Sequence, residues 1–180
     1  MRTVFLMSIV FTMLLACGTT NKNTSERAIQ LHNMVENKSF EIVSNRAYPL
    51  MTSAMQQLDN MGLFVNGSTA ASIDISTHGN FLRMKNDSVM ANLPFYGERQ
   101  MGGGYNNASG IEFKGIPRNL QINKLKEQSY EIRFNIHDTN SSTESYEVYI
   151  KLASNLTSNM VVRSSHRSNI QFSGRIRELK

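Results

Sequence analysis

The sequence predicts an α+β domain: mostly an antiparallel β meander in a curled or barrel-like sheet, with one N-terminal amphipathic helix. Three observations predict it. Apolar residues recur at helical spacing between residues 25 and 37, they alternate with polar residues in later segments, and short polar turns join those segments. Turns that short pair consecutive strands antiparallel, and so long a meander must curl or stack a second layer to cover its apolar face.

Ser25 is the expected N-cap of the helix, whose Ala28, Ile29, Leu31, Met34 and Val35 form one apolar stripe as far as Asn37. Phe40, Ile42 and Ser44 then alternate with Glu41 and Val43 in a strand that continues to Tyr48-Pro49, where proline stops the pairing. Residues 50 to 80 are less regular. Leu50 to Leu58 reads as a short helix or irregular chain, Gly62 to Val65 as a strand, and Ile73 to Ile75 as another. Phe81 to Lys85 and Ser88 to Leu93 flank Asn86-Asp87, which predicts a hairpin.

The clearest alternation comes later. Tyr130, Ile132, Phe134 and Ile136 alternate with Glu131, Arg133, Asn135 and His137. After the turn Thr139 to Thr143, Tyr146, Val148, Ile150 and Leu152 repeat the pattern, which predicts a long hairpin. Met160-Val161-Val162 and then Ile170, Phe172, Gly174 and Ile176 supply two last strands.

The chain opens with Arg2 and an uncharged apolar run from Val4 to Leu15, too short to span a bilayer and of the length of a signal's hydrophobic region. It ends at Leu14-Leu15-Ala16-Cys17, a lipobox pattern: small Ala16 admits the peptidase to the backbone, and the Cys17 thiol receives the diacylglycerol. The expectation is a signal peptide over residues 1–16, lipid attachment at Cys17, a flexible tether to residue 24, and one β-rich domain over 25–180. Cys17 is the only cysteine, so the domain has to stand on its core without an internal disulfide. Without residues 1–16, 164 residues remain, a length that fits one domain. Losing Arg2 leaves 18 Lys and Arg against 14 acidic residues, interspersed in sign, which reads as solubility with a bias toward anionic headgroups and not as nucleic-acid binding.

The most distinctive segment is Asn92-Leu93-Pro94-Phe95-Tyr96-Gly97-Glu98-Arg99, followed by Met101-Gly102-Gly103-Gly104-Tyr105 and Gly110-Ile111-Glu112-Phe113. It lacks the Gly-Lys-Ser/Thr step and the following helix of a phosphate loop. Its glycines allow close backbone approach, and Phe95, Tyr96, Gly97, Gly103 and Tyr105 are the candidate ligand-contacting loop.

These motifs, with the hairpin from Tyr130 to Leu152 and the closing stretch from Val162 to Gly174, resemble the family called domain of unknown function 4251 from about Arg27 to Leu179. The resemblance implies a small exported lipoprotein of a Gram-negative bacterium and identifies no catalytic residue.

Other chemistry is sparse. His32, His78, His137 and His166 have no partners at ligand spacing, the methionines are scattered as core filler, and Gly-x-Ser-x-Gly is absent. Neither metal nor cofactor is expected. Arg163, His166, Arg167, Arg175 and Arg177 form a basic C-terminal region, read first as a solvated turn and exposed strand face. Its functional version places Arg163 and Arg167 on an anionic ligand or a headgroup surface. The functional expectation is a lipid-anchored cell-envelope module, on the outer membrane facing the periplasm, with a binding or structural role toward an envelope protein or small ligand. A carrier with a cavity in the curled sheet and an enzyme of unfamiliar type are the alternatives.

Overall fold

The computed structural model describes residues 22–64, 67–101 and 110–179. Helix α1 (Lys22–Glu36) leads into strand β1 (Ser39–Pro49), and a second helix, α2 (Ser53–Asn60), precedes the two-residue strand β2 (Ile73–Asp74). Then follow β3 (Phe81–Lys85), β4 (Ser88–Pro94), β5 (Gly110–Gly115), β6 (Arg118–Lys124), β7 (Tyr130–His137), β8 (Ser145–Leu152), β9 (Thr157–Ser164) and β10 (Ile170–Glu178). All pairings are antiparallel, in the order β5-β4-β3-β1-β10-β9-β8-β7-β6 with β2 beside β1.

The curl follows from chain connectivity. The two edge strands, β5 and β6, are separated only by Ile116 and Pro117, so Gly115 and Arg118 stand at most about 11 Å apart. A flat sheet of this order would hold them many strands apart. The sheet therefore bends into a half-barrel, and Phe113 of β5 meets Phe134 of β7 and Tyr146 of β8 across the interior at ring separations of 6.1 and 5.8 Å. The Thr139 N–H also donates to the Glu112 carbonyl at 2.9 Å, joining the β5 edge to the turn after β7.

Inward side chains follow the predicted alternation. Tyr130, Ile132, Phe134 and Ile136 on β7, and Tyr146, Val148, Ile150 and Leu152 on β8, are all buried. With Phe40, Ile42, Leu82, Met84, Leu93, Phe172 and Ile176 they form one contiguous core. Each such side chain stabilises the fold by about 1.5–3 kcal/mol.

Helix α1 adds Ala28, Leu31, Met34 and Val35 to this core, but Ile29 is 58% exposed and falls outside the stripe expected of it. The helix begins at Lys22, ahead of Ser25, so Ser25 lies inside it and not at its cap, and residues 22–24 of the expected tether join the helix. Lys38, at a φ of 46°, ends it.

In residues 50–124 one open reading resolves and two others differ. Leu50 to Leu58 contains a true helix, α2, which Thr52 caps by accepting from the Met55 N–H at 3.3 Å. Gly62 to Phe64 form no strand, and Val65 lies outside the described residues. β5 and β6 went unassigned in the sequence although Ile111 and Phe113, and Leu120 and Ile122, alternate; glycines and a polar, half-exposed edge blur that signal.

β1 changes neighbours along its length, pairing β3 over 39–42 and β2 over 46–47. A bulge between Ser44 and Arg46 turns the strand at the crossover. Buried Asn80 satisfies it: its Oδ1 accepts from the Ser44 N–H at 3.0 Å, and its Nδ2 donates to the Ser44 and Ile75 carbonyls at 2.9 and 3.0 Å.

Candidate functional site

α1 lies across one end of the sheet, where the His32 Nδ1 is 2.6 Å from the Tyr130 hydroxyl and Gln30 reaches Glu178. The opposite end is where β1, β4, β7 and β9 finish and β3, β5, β8 and β10 start. Phe95, Tyr96, Gly97, Arg163 and Arg167 therefore gather at one end, although they come from two regions about 70 residues apart. Gly103, Tyr105 and Cys17 lie outside the described residues.

Residues 95–101 form a strap against the turn after β9. The Ser168 N–H donates to the Glu98 carbonyl at 3.0 Å, and the Gln100 N–H to the His166 carbonyl at 2.7 Å. Gly97 makes the approach possible: its φ is +149°, and a Cβ there would stand 2.5 Å from the Ser168 Oγ.

Beneath the strap lies Glu144, which is 0% exposed. Its Oε2 accepts from the Arg99 Nη2 at 2.6 Å and from the Arg167 Nη2 at 3.2 Å, and its Oε1 accepts from the Ser164 hydroxyl at 2.7 Å. The Arg167 Nε is 2.7 Å from Oε1, yet its N–H lines up with no acceptor among the described residues, so that contact is electrostatic. Arg167 also donates from Nη1 to the Gly110 carbonyl at 2.6 Å and lies over the Phe95 ring at 5.2 Å. One guanidinium thus grips both ends of the glycine-rich loop. The solvated-turn reading fails for Arg167, which is 5% exposed, because the buried Glu144 carboxylate draws its charge inward. Arg163 is exposed and shares Glu147 with Arg133. The two arginines expected to act together therefore do different work.

Burial opposes charge on Glu144, but the hydrogen bonds from Ser164, Arg167 and Arg99 and the Arg167 charge outweigh it and hold the carboxyl below its ordinary value of 4.5. Next to it, burial and the 2.5 Å bond to Asp138 push the Tyr146 hydroxyl far up, so it stays a donor. A group whose folded pKa is depressed contributes stability fully above its unfolded value and loses it as the pH falls through the folded one. Melting temperatures measured by circular dichroism from pH 7 to 3 are expected to fall progressively below about pH 5. Glu144→Gln should start lower at pH 7 and fall less steeply. Curves that run parallel for the two proteins would rule Glu144 out as a source of the acid sensitivity.

A cleft of about 350 Å³ opens at the same end, lined by Leu63, Phe64, Ile73, Asp74, His78 and Tyr96, among others. Burial raises the Tyr96 phenol, and its hydroxyl is 3.5 Å from the His78 Nε2. Leu63 of the cleft lining is 58% exposed, and in the stretch of chain before it α2 has no buried side chain and Leu50, Met51, Leu58 and Met61 are between 41 and 69% exposed. Ile73 of the same lining belongs to the core cluster, and Phe64 and Tyr96 pack against that cluster. Sequence reasoning found Tyr96 but missed Glu144 and His78, since nothing local marks a turn residue that only distant arginines or a distant tyrosine will meet. Among the described residues, no three His, Cys, Asp or Glu side chains gather as a metal site, and no helix is long and apolar enough to cross a membrane.

Residues 22–176 match the family described as Domain of unknown function (DUF4251). The crystal structure of a DUF4251 family protein from Bacteroides eggerthii shares the fold: the TM-score is 0.55 at 13% identity, over 86% of this chain and 87% of that one. The search of curated proteins found no match.

Proposed function

Because the chain belongs to the DUF4251 family, with which its lipobox-like leader is consistent, we propose that it is a lipid-anchored binding module of the cell envelope. It is tethered through Cys17, faces the periplasm from the outer membrane, and engages an envelope protein through its loop-bearing end. One observation supports this above the others: the end from which the tether leaves and the end that carries the loops are opposite. Cys17 precedes Lys22 by five residues, a reach of at most about 17 Å, so the α1 end sits close to the bilayer. Strands of eight or nine residues then carry Tyr96 and the cleft beside it, with exposed Leu63 in its lining, roughly 25–30 Å away from the bilayer end. A cleft with an exposed leucine in its lining, preceded in the chain by exposed Leu50, Met51, Leu58 and Met61, suits a partner protein, which would bury apolar surface.

Crosslinking in native membranes followed by affinity capture tests this reading. The wild-type chain is expected to retain a specific envelope protein that the double variant Tyr96→Ala, Leu63→Ser loses, while Cys17→Ser releases the protein from the membrane fraction. Capture that is indifferent to the double variant overturns the assignment of the loop end. A Cys17→Ser chain that remains membrane-bound overturns the anchor. If a small molecule and no protein co-purifies in a Tyr96-dependent way, the cleft is a ligand site and the partner reading fails.

A further inference from the structure

The outer face of the sheet carries a second cluster, which the loop end does not use. On β1, Phe40 and Ile42 point into the core, so Glu41 between them points outward, yet it is only 6% exposed. Two arginines cover it. Its cross-strand neighbours are Arg83 on β3 and Arg177 on β10, one on each side. The Arg83 Nε donates to Oε1 at 2.5 Å and the Arg177 Nε to Oε2 at 2.6 Å, and the Arg177 Nη2 also contacts Oε2. Burial opposes the Glu41 charge, but these two guanidiniums outweigh it and hold the carboxyl below its ordinary range.

One carboxylate needs only one cation, so this arrangement leaves an excess. Arg83 hydrogen-bonds Glu41 through Nε alone, and neither of its Nη groups has a hydrogen-bond acceptor among the described residues. The Arg83 guanidinium is also fixed 4.1 Å above the Phe81 ring, so its rotamer freedom is already spent. Lys85 and Arg175 share this face by the two-residue period and are exposed. The nearby carboxylates of Asp87 and Glu178 are engaged with Lys38 and Gln30. Gln30 leaves the Glu178 charge in place, but Glu178 follows Arg177 on β10 and so turns to the opposite face; on this face four cations surround one carboxylate at a groove of about 360 Å³ lined by Glu41, Arg83, Arg177 and Leu179.

We propose that Arg83 and Arg177, aimed by Glu41, form a guanidinium fork that binds a phosphate group. Planar guanidinium forks match tetrahedral oxyanions in pairs of parallel hydrogen bonds, and here the geometry is set before the ligand arrives. Glu41 is a positioning residue, and the arginines make the contact. The fork sits near the start of β1 and the end of β10, at the α1 end of the sheet. A lipid headgroup phosphate and a soluble phosphate ester share the chemistry it recognises.

The full chain carrying Cys17→Ser, which cannot be lipidated, separates the sources. It is titrated with inorganic phosphate, followed through its arginine Nε–H resonances, and is sedimented with phosphatidylglycerol or phosphatidylcholine vesicles. Saturable binding that Arg83→Gln weakens by about tenfold or more is expected, with Arg83→Lys failing to restore it and Lys151→Gln, an equal charge change elsewhere on the outer face, leaving it unchanged. Glu41→Gln should weaken binding while both cations remain, and a melting curve for each variant confirms that it is folded. Saturation by phosphate alone assigns a soluble ester, and phosphatidylglycerol-selective sedimentation assigns the headgroup. Equal losses in Arg83→Gln and Lys151→Gln reduce the effect to diffuse charge and overturn the fork, as does the absence of saturable binding to either probe.

Discussion

Arg167→Ala is expected to destabilise the fold by about 3–5 kcal/mol, the cost of leaving a buried carboxylate short of its principal counter-charge. Glu144, 0% exposed in the intact protein, keeps Arg99 as its remaining cation, and Gly110 loses the donor to its carbonyl. Urea denaturation should show a lower midpoint. Hydrogen exchange should quicken at the Gln100 and Ser168 amides, which hold the strap to the turn. Arg167→Lys should recover little, because an ammonium cannot reach Glu144 and the Gly110 carbonyl at once. The comparison that decides is Arg163→Ala, in a side chain 62% exposed that shares Glu147 with Arg133 and should cost no more than about 0.5 kcal/mol. If the two variants have equal midpoints, the buried cluster does not stabilise the loop end.

Gly174→Ala should be comparably severe for an unrelated reason. A Cβ at this position would stand 2.1 Å from the Val43 carbonyl oxygen and 2.6 Å from the Ser44 Cα, on the bulged stretch of β1. Both obstacles are backbone, so no rotamer change relieves them, and β10 has to separate from β1 or the bulge has to reset its register. Overpacking of this kind costs about 3 kcal/mol, at the upper end of the usual range. The bulge also orients Asn80, so the variant is expected to lose protection at the Ser44 amide as well. Gly62→Ala is the control: nothing lies within 4 Å, and only its φ of +66° is strained, which costs about 1 kcal/mol. Similar midpoints for the two glycine variants would mean that close approach is not what Gly174 supplies.

Much of the architecture was legible because one rule governs it. Where a strand has one wet face and one dry face, the period of two is written in the residues, as in β1, β7, β8 and β10, while the Asn86-Asp87 turn marks β3 and β4. The rule weakens where a strand is an edge, as in β6, whose burial alternates only between exposed and half-buried. For α2, which buries no side chain and only packs Met55 partly against the core, the sequence leaves a short helix or irregular chain open. Ile29 shows the opposite failure: an apolar residue at roughly helical spacing that the packing leaves in water.

The loop end was half legible. Phe95, Tyr96 and Gly97 stand out in the sequence because aromatic residues and glycine cluster after a strand, which is a local signal. Glu144 carries no such mark, and Arg167 reads as one more surface cation in a basic stretch. What makes them a pair is the curl. Strand order places β8, the turn after β9 and the loop after β4 at the same end, and burial then decides which charges must find each other. The same holds on the outer face, where Glu41 becomes a buried carboxylate because β3 and β10 flank β1.

By itself the sequence determined the α+β class, the hairpins and the inward faces, since these rest on residues a few positions apart and on the period of the backbone. Only the tertiary structure decided which charges are buried, which arginines share a carboxylate, and which glycine another strand's backbone crowds. Each of those depends on two segments brought together from distant parts of the chain, and burial energy, which no local spacing records, selects the pair.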